Sequence, residues 1–162
     1  MLIDVSYFIS GPRHIQNASK AETPKQDSVA VNAHIESYIK AYQKEFLQQV
    51  LGEESANIVI EEINSVEVDL SINAVCEHLK EPFADYVFFH ILRDANEQAT
   101  VTGIVRLKSA NEYVSPIRAQ VSTWNTMVDK IHQFVTWAST DECPLNIRVS
   151  SHMLKPINTL NL

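Results

Sequence analysis

The sequence is poor in glycine, which limits the folds and nucleotide-binding loops that it can form. Only Gly11, Gly52 and Gly103 occur in 162 residues, against a usual content of about 7%. No glycine-rich loop of the dinucleotide-binding or P-loop kind can be built from three scattered glycines. Few glycines also leave few tight turns, which disfavours an all-β sandwich and favours helices.

Long hydrophobic runs and paired cysteines are also missing. No apolar run approaches the ~20 residues of a membrane helix, and the first residues, MLIDVSYFISGPRHI, lack the basic and apolar regions of a secretory signal. Cys76 and Cys143 stand alone, with no CxxC motif. We therefore expect no membrane partner and two reduced thiols in an intracellular setting.

Catalytic and metal-binding motifs are absent as well. The six histidines form no HExxH pair, and there is no GxSxG motif. His90 falls within an apolar helical stretch, where a hydrogen-bonded core histidine is the expected role. Adjacent carboxylates on an exposed helix suit solvation better than acid–base catalysis. The sequence predicts no enzymatic activity, no catalytic residue, no cofactor and no metal.

The net charge of -7 comes entirely from one segment. Residues 45–79 contain no Lys or Arg and eight acids: Glu45, Glu53, Glu54, Glu61, Glu62, Glu67, Asp69 and Glu77. Such a segment disfavours phosphate binding, and we expect no sequence-specific contact with nucleic acid. Two interpretations stay open: a solvated helix face, or a functional surface that meets a basic partner or repels DNA. The candidate acidic surface comprises Glu53, Glu54, Glu61 and Glu62.

Hydrophobic periodicity predicts a mainly α fold, a four- to five-helix domain with an extended N-terminal arm and C-terminal tail. Alternation in SVEVDLS fits a strand or a connection, and TGIVRLKS fits a short strand or hairpin arm. Pro82 is expected to begin a new helix, because proline suits a first helical turn. The predicted helices cover about 30–51, 54–64, 71–79, 82–92 and 116–138.

The two ends of the chain are apolar but have no clear partner in sequence. Residues 1–28 are predicted to form an arm and linker, residues 29–140 the helical domain, and residues 141–162 an extended tail with a strand at 145–149. We expect that deleting residues 1–10 or 141–162 leaves the body folded and weakens assembly. The candidate protein-interface residues are Tyr7, Phe8, Ile9, Trp137, Leu145, Ile147, Leu154 and Ile157.

The last helix contains both tryptophans. In QVSTWNTMVDKIHQFVTWAST, apolar side chains recur at the 3–4 spacing of one helical face. Trp124 lies on this stripe and is predicted to pack against the aromatic helix at 83–92. Trp137 lies about 200° round the helix from Val135 and is predicted to meet a neighbouring subunit or the tail.

Three stretches together resemble a known family. They are HIESYIKAYQKEFLQQVLG at 34–52, FADYVFFHILRDANEQATVTGIVRLKSANEYVSP at 83–116, and WNTMVDKIHQFVTW at 124–137. Their order is similar to that of the small helical head–tail connector, or head-completion, proteins of tailed phages and prophages. The resemblance covers roughly residues 30–140 and leaves both ends unaccounted for.

The resemblance implies a structural protein of the virion that is assembled in the bacterial host cytoplasm. Such connectors form homo-oligomeric rings beneath the portal protein and offer a platform to a tail or stopper protein, without an active site. The acidic segment would then suit a channel lining that does not bind passing DNA. The alternative is a monomeric or dimeric helical adaptor of a bacterial cell that binds another protein through its arm or tail.

Overall fold

The computed structural model describes residues 1–65, 69–95 and 117–158, and the backbone of 97–100 and 103–106. This part of the chain is mainly helical, which confirms the predicted fold class, and a short antiparallel β-hairpin precedes the last helix. None of its helices combines the length and hydropathy needed to cross a membrane. The elements are α1 (Gln26–Leu51), α2 (Glu53–Asn64), α3 (Leu70–Asp94), β1 (Glu97–Thr100), β2 (Gly103–Arg106) and α4 (Ile117–Ala138).

A single glycine separates α1 from α2. Gly52 has a φ of +79°, a conformation that side chains with a Cβ rarely adopt. Its N–H continues α1 by donating to the Gln48 carbonyl, and its own carbonyl accepts from Ala56 in α2. The chain therefore turns between two helices within one residue, as the glycine at this position suggests.

The predicted break at Pro82 is wrong, because α3 runs without interruption from Leu70 to Asp94. Proline removes one backbone hydrogen bond inside a helix, but the residues on both sides of it are held by the core. Leu79 and Phe83 have no exposed surface. Tertiary packing therefore keeps the helix continuous. Residues 66–68, where a strand or a connection was expected, lie outside the described residues.

Helix α3 is the central element and lies antiparallel to both α1 and α4. Phe46 of α1 packs on Phe83, with ring centroids 5.1 Å apart. Towards the other end of α1, the Tyr38 hydroxyl donates to Asp94 at 3.1 Å. On the other side, Trp124 of α4 packs near the end of α3 and Trp137 near its beginning. With a rise of 1.5 Å per residue, the two ends of α3 lie about 36 Å apart.

Trp124 belongs to the core, as its position on the apolar stripe predicts. Its side chain is 3% exposed, and its ring centroid lies 5.0 Å from that of Phe89 and 6.4 Å from that of Tyr86. The next turns of α4 bury Met127, Val128, Ile131 and Phe134. The helix thus contributes one continuous seam to the interior.

The first ten residues do not have the extended form predicted for the N-terminal arm. A short 3₁₀-helix spans Val5–Phe8, and the Asp4 side chain caps it by accepting from the Ser6 N–H. Tight turns of this kind place two apolar side chains on the same side. Val5 and Phe8 are both buried against the helices.

Candidate interaction surfaces

The N-terminal segment is part of the core and not a free arm. Leu2, Ile3, Val5 and Phe8 are all buried, and the Leu2 N–H donates to Gln43 of α1 at 2.6 Å. The proposal of Phe8 as an interface residue is therefore wrong, because its side chain is 0% exposed within one subunit. Tyr7 and Ile9 are half-buried against the same core.

A buried carboxylate connects the N-terminal segment to α3 and α4. Asp85 is 4% exposed, and its two oxygens each lie 2.7 Å from a cation, Arg13 Nη1 and Lys130 Nζ. Glu81, one helical turn earlier, pairs with the same two cations at 2.9 and 3.0 Å. The network joins residues that lie far apart in sequence, and the spacing of Glu81 and Asp85 on one face of α3 was its only signal.

The Trp-Asn pair of the family-like tract binds the tail. The Trp124 indole N–H donates to the Lys155 carbonyl at 2.9 Å. The Asn125 amide makes two hydrogen bonds with the backbone of Ile157. Its Nδ2 donates to the Ile157 carbonyl at 3.0 Å, and its Oδ1 accepts from the Ile157 N–H at 2.7 Å. In the tail, these hydrogen bonds involve backbone groups and not side chains. The tail is therefore held along α4 in an irregular, extended form.

The tail also runs past the end of α1, and the strand predicted at 145–149 does not form. The Arg148 N–H donates to the Leu51 carbonyl and the Ser150 N–H to the Gln49 carbonyl, at 3.1 and 2.7 Å. The backbone partners are thus the last carbonyls of a helix, which have no intrahelical donor. Of the predicted interface residues in the tail, Leu145, Ile147 and Leu154 are half-buried against the core and Ile157 is exposed.

Trp137, the predicted interface tryptophan, is half-buried at the end of α4. Its ring stacks on His78 of α3 with centroids 4.1 Å apart, and its indole N–H donates to Glu142 at 3.0 Å. The second half of the earlier prediction, a contact with the residues after α4, is thus present. A contact with a neighbouring subunit stays a prediction.

The candidate acidic surface lies on α2. Glu53 and Glu54 occupy its first turn and are exposed, a position where the helix dipole favours negative charge. Glu61 is exposed, whereas Glu62 is half-buried and accepts a hydrogen bond from the Asp69 N–H at 2.7 Å. Three of the four carboxylates therefore face solvent, and the fourth also holds the beginning of α3.

Large apolar side chains are exposed at both ends of the helical body. Leu70 is 81% exposed where α3 begins, and Ile58 is exposed on the neighbouring α2; we call these two residues the Leu70 patch. At the opposite end, Ile117 is 58% exposed where α4 begins, and we call it the Ile117 patch; Val29 is exposed separately in the first turn of α1. Neither patch was identified from the sequence. Leu70 and Ile117 are the first residues of their helices, where helical spacing does not yet show which face is buried.

A pocket of about 240 Å³ opens between α1, α3, α4 and the tail. Its floor is buried and mostly aromatic, and its rim has charges of both signs. The floor is formed by Tyr86, His90, Trp124 and Met153, with half-buried Phe89 as one wall, and the rim by Glu45, Gln49, Arg93, His152 and Ile157. Sequence reasoning missed this site because its residues come from four separate elements.

His90 is buried in the pocket floor as expected, but the expected hydrogen bond is missing. The side chain is 7% exposed, and neither ring nitrogen has a partner among the described residues. The ring stacks on Tyr42 with centroids 3.9 Å apart and meets Tyr86 and Phe89 edge-on. Burial, together with the nearby Arg93 charge, lowers the pKa of His90 to about 4. The ring is therefore neutral at neutral pH.

His90 should make the stability of the protein depend on pH. The pKa of His90 is about 4 in the folded state and about 6.5 in an unfolded chain. At pH values between these two, the unfolded state therefore binds one more proton than the folded state. The contribution is complete above the unfolded value and is lost as the pH falls towards 4. We expect the free energy of unfolding to drop by about 2 kcal/mol between about pH 7 and about pH 4.5 from this group. Urea unfolding of the wild type and of His90→Phe at several pH values in this range measures the effect. An equal dependence of the free energy of unfolding on pH in the two proteins would contradict it.

The described residues contain no group of three metal-ligating side chains. Cys76 and Cys143 are both free; burial raises the pKa of the Cys76 thiol, which opposes formation of a reactive thiolate. These two thiols are therefore not arranged as a disulfide. No family model, no curated protein and no solved structure matches this chain.

Proposed function

We propose that this protein is a non-enzymatic structural component of a tailed-phage or prophage particle. In this proposal it assembles as a ring at the head–tail junction, beneath the portal protein, and links the capsid to a tail or stopper protein. The resemblance of residues 30–140 to head–tail connectors supplies the class. The observation that carries the proposal is the pair of exposed apolar patches at opposite ends of the helical body.

Two different patches on one subunit suit a ring. A head-to-tail contact joins unlike surfaces of successive subunits, and it closes into a ring when the rotation between them allows. The Leu70 patch and the Ile117 patch are unlike surfaces about 36 Å apart, the length of α3. Contact between them removes from water three large apolar side chains that a single subunit leaves exposed: Ile58, Leu70 and Ile117.

The acidic face of α2 suits the channel of such a ring. Glu53, Glu54 and Glu61 are exposed on one short helix, and a carboxylate surface does not retain the phosphates of passing DNA. Replacing all four candidate acids, including Glu62, with glutamine should leave ring formation intact and increase retention of DNA. No change in either assembly or DNA retention would remove the channel assignment.

The test of the ring measures mass in solution, for the chain alone and with a candidate portal protein. Native mass spectrometry should show several copies of the chain on each portal assembly. Leu70→Lys should abolish this association without lowering the unfolding midpoint, because Leu70 is exposed. Gln133→Lys, at an exposed position in the middle of α4, is the matched control and should assemble normally.

Other outcomes lead elsewhere. A strict monomer that never associates with the portal would overturn the connector proposal. A stable dimer that ignores the portal would favour the adaptor alternative. Loss of assembly in Gln133→Lys as well as Leu70→Lys would show that added positive charge, and not the Leu70 patch, is responsible.

A further inference from the structure

From the pocket around His90 we infer that it is a binding site for an arginine side chain of a partner protein. The partner is a protein other than this chain that rests against the side of the helical body. The inference rests on the proposed function only for the identity of that partner. The site itself follows from the floor, the rim and the unused hydrogen-bonding groups of the pocket.

The charge at the rim favours a cation. Glu45 and Arg93 face the opening from α1 and α3, but Arg93 is already neutralised by Asp94, whose carboxylate lies 2.7 Å from its Nε. Glu45 has no ion pair among the described residues, and only its Oε1 is used, by the Tyr86 hydroxyl at 3.1 Å. One carboxylate oxygen is therefore available to a donor from outside.

The shape and chemistry of the floor favour a guanidinium over an ammonium. Phe89 and Trp124 line the pocket with aromatic rings, on which a flat cation can stack. A guanidinium is planar, donates along a fork that matches a carboxylate, and is less strongly hydrated than an ammonium. The pocket volume of about 240 Å³ accommodates such a group with part of its aliphatic stem.

His90 offers a hydrogen-bond acceptor to a ligand that has only donors. A neutral imidazole has one nitrogen that accepts a hydrogen bond, and both ring nitrogens of His90 are without a partner among the described residues. Leaving such a group buried and unsatisfied costs free energy. Both ring nitrogens are enclosed in the floor, so in this proposal the imidazole turns about its terminal torsion, which is broad in histidine, to accept from an entering N–H.

In the proposed assembly, the portal protein supplies the arginine. The pocket opens near the end of α3, on the part of the body that also bears Ile117, and beside the tail residues Met153 and Ile157. A second copy of this chain is the alternative occupant, and the release measurement below distinguishes the two.

The experiment titrates N-acetyl-arginine methylamide into the full ¹⁵N-labelled chain and follows the indole N–H signal of Trp124, assigned with Trp137→Phe. We expect a saturable shift with a dissociation constant of about 1 mM. N-acetyl-lysine methylamide, which has the same charge, should bind at least about tenfold more weakly. Glu45→Gln should weaken arginine binding about tenfold or more, whereas Glu53→Gln, at an exposed acid of α2, should leave it unchanged.

Each negative result overturns a different part of the inference. Absence of a saturable shift, or equal binding by Glu45→Gln, overturns the site. Equal binding of the lysine compound overturns the choice of arginine. An excess of the arginine compound should release the chain from the portal and leave its self-association unchanged. Loss of self-association with portal binding intact would overturn the choice of partner. Binding of the compound by a chain that never joins a portal would keep the site and overturn only the connector proposal.

Discussion

Replacing Asp85 with alanine should lower the free energy of unfolding by about 3–5 kcal/mol, because it leaves two cations without their buried counter-charge. Asp85 is 4% exposed and contacts Arg13 and Lys130 at 2.7 Å each. Arg13 is itself largely shielded from water, so it cannot regain full hydration in the variant. Urea denaturation followed by circular dichroism and by tryptophan fluorescence measures the loss and shows whether unfolding stays two-state.

Glu81→Gln is the matched control for this prediction. Glu81 contacts the same two cations, but half of its side chain is exposed, and exposed ion pairs contribute at most about 1 kcal/mol. A large loss confined to Asp85→Ala would therefore locate the stabilisation in the buried carboxylate. Similar losses in both variants would mean that the four residues act as one network, and a loss below about 1 kcal/mol for Asp85→Ala would contradict its assigned role.

Sequence reasoning was most successful where the structure is local. The spacing of apolar residues located α1, α2 and α4 to within a few residues. The placement of Trp124 on the aromatic helix followed from the same periodicity. Helical spacing reports which face is buried, and in these elements one face packs on the core.

The failures share a physical cause, which is that contacts distant in sequence decide the outcome. Pro82 suggested a helix start, but the core around it keeps α3 continuous. An apolar run at the N-terminus suggested a free arm, yet Phe8 is buried in the core formed by helices that follow it in sequence. No local pattern encodes that Arg13 meets Asp85, since the two residues lie 72 positions apart.

The pocket illustrates the same limit for function. Glu45, His90 and Trp124 come from three helices, and Met153 comes from the tail. Each residue alone has an ordinary interpretation: a solvated acid, a core histidine, a core tryptophan. Their convergence places a carboxylate oxygen and an imidazole side by side in one pocket, neither with a hydrogen-bond partner among the described residues. The sequence predicted the type of environment for His90 and not its missing partner.

Phe8→Ala distinguishes the two roles considered for the N-terminal segment. If the segment belongs to the core, truncating a side chain that is 0% exposed should cost about 3–5 kcal/mol, the range observed when buried phenylalanines are replaced by alanine. If it were a docking arm, the isolated chain would keep its stability and only assembly would weaken. Denaturant unfolding of the isolated chain, combined with the portal association measurement, separates these outcomes.

Leu70→Ala is the control for Phe8→Ala, because it also shortens a large apolar side chain, but one that is 81% exposed. Its free energy of unfolding should change by less than about 0.5 kcal/mol, while its association with the portal weakens. The two variants should thus show opposite patterns, since one side chain stabilises the subunit and the other is available to a neighbour. A stable Phe8→Ala chain that fails to assemble would reverse this division and restore the docking arm that the sequence suggested.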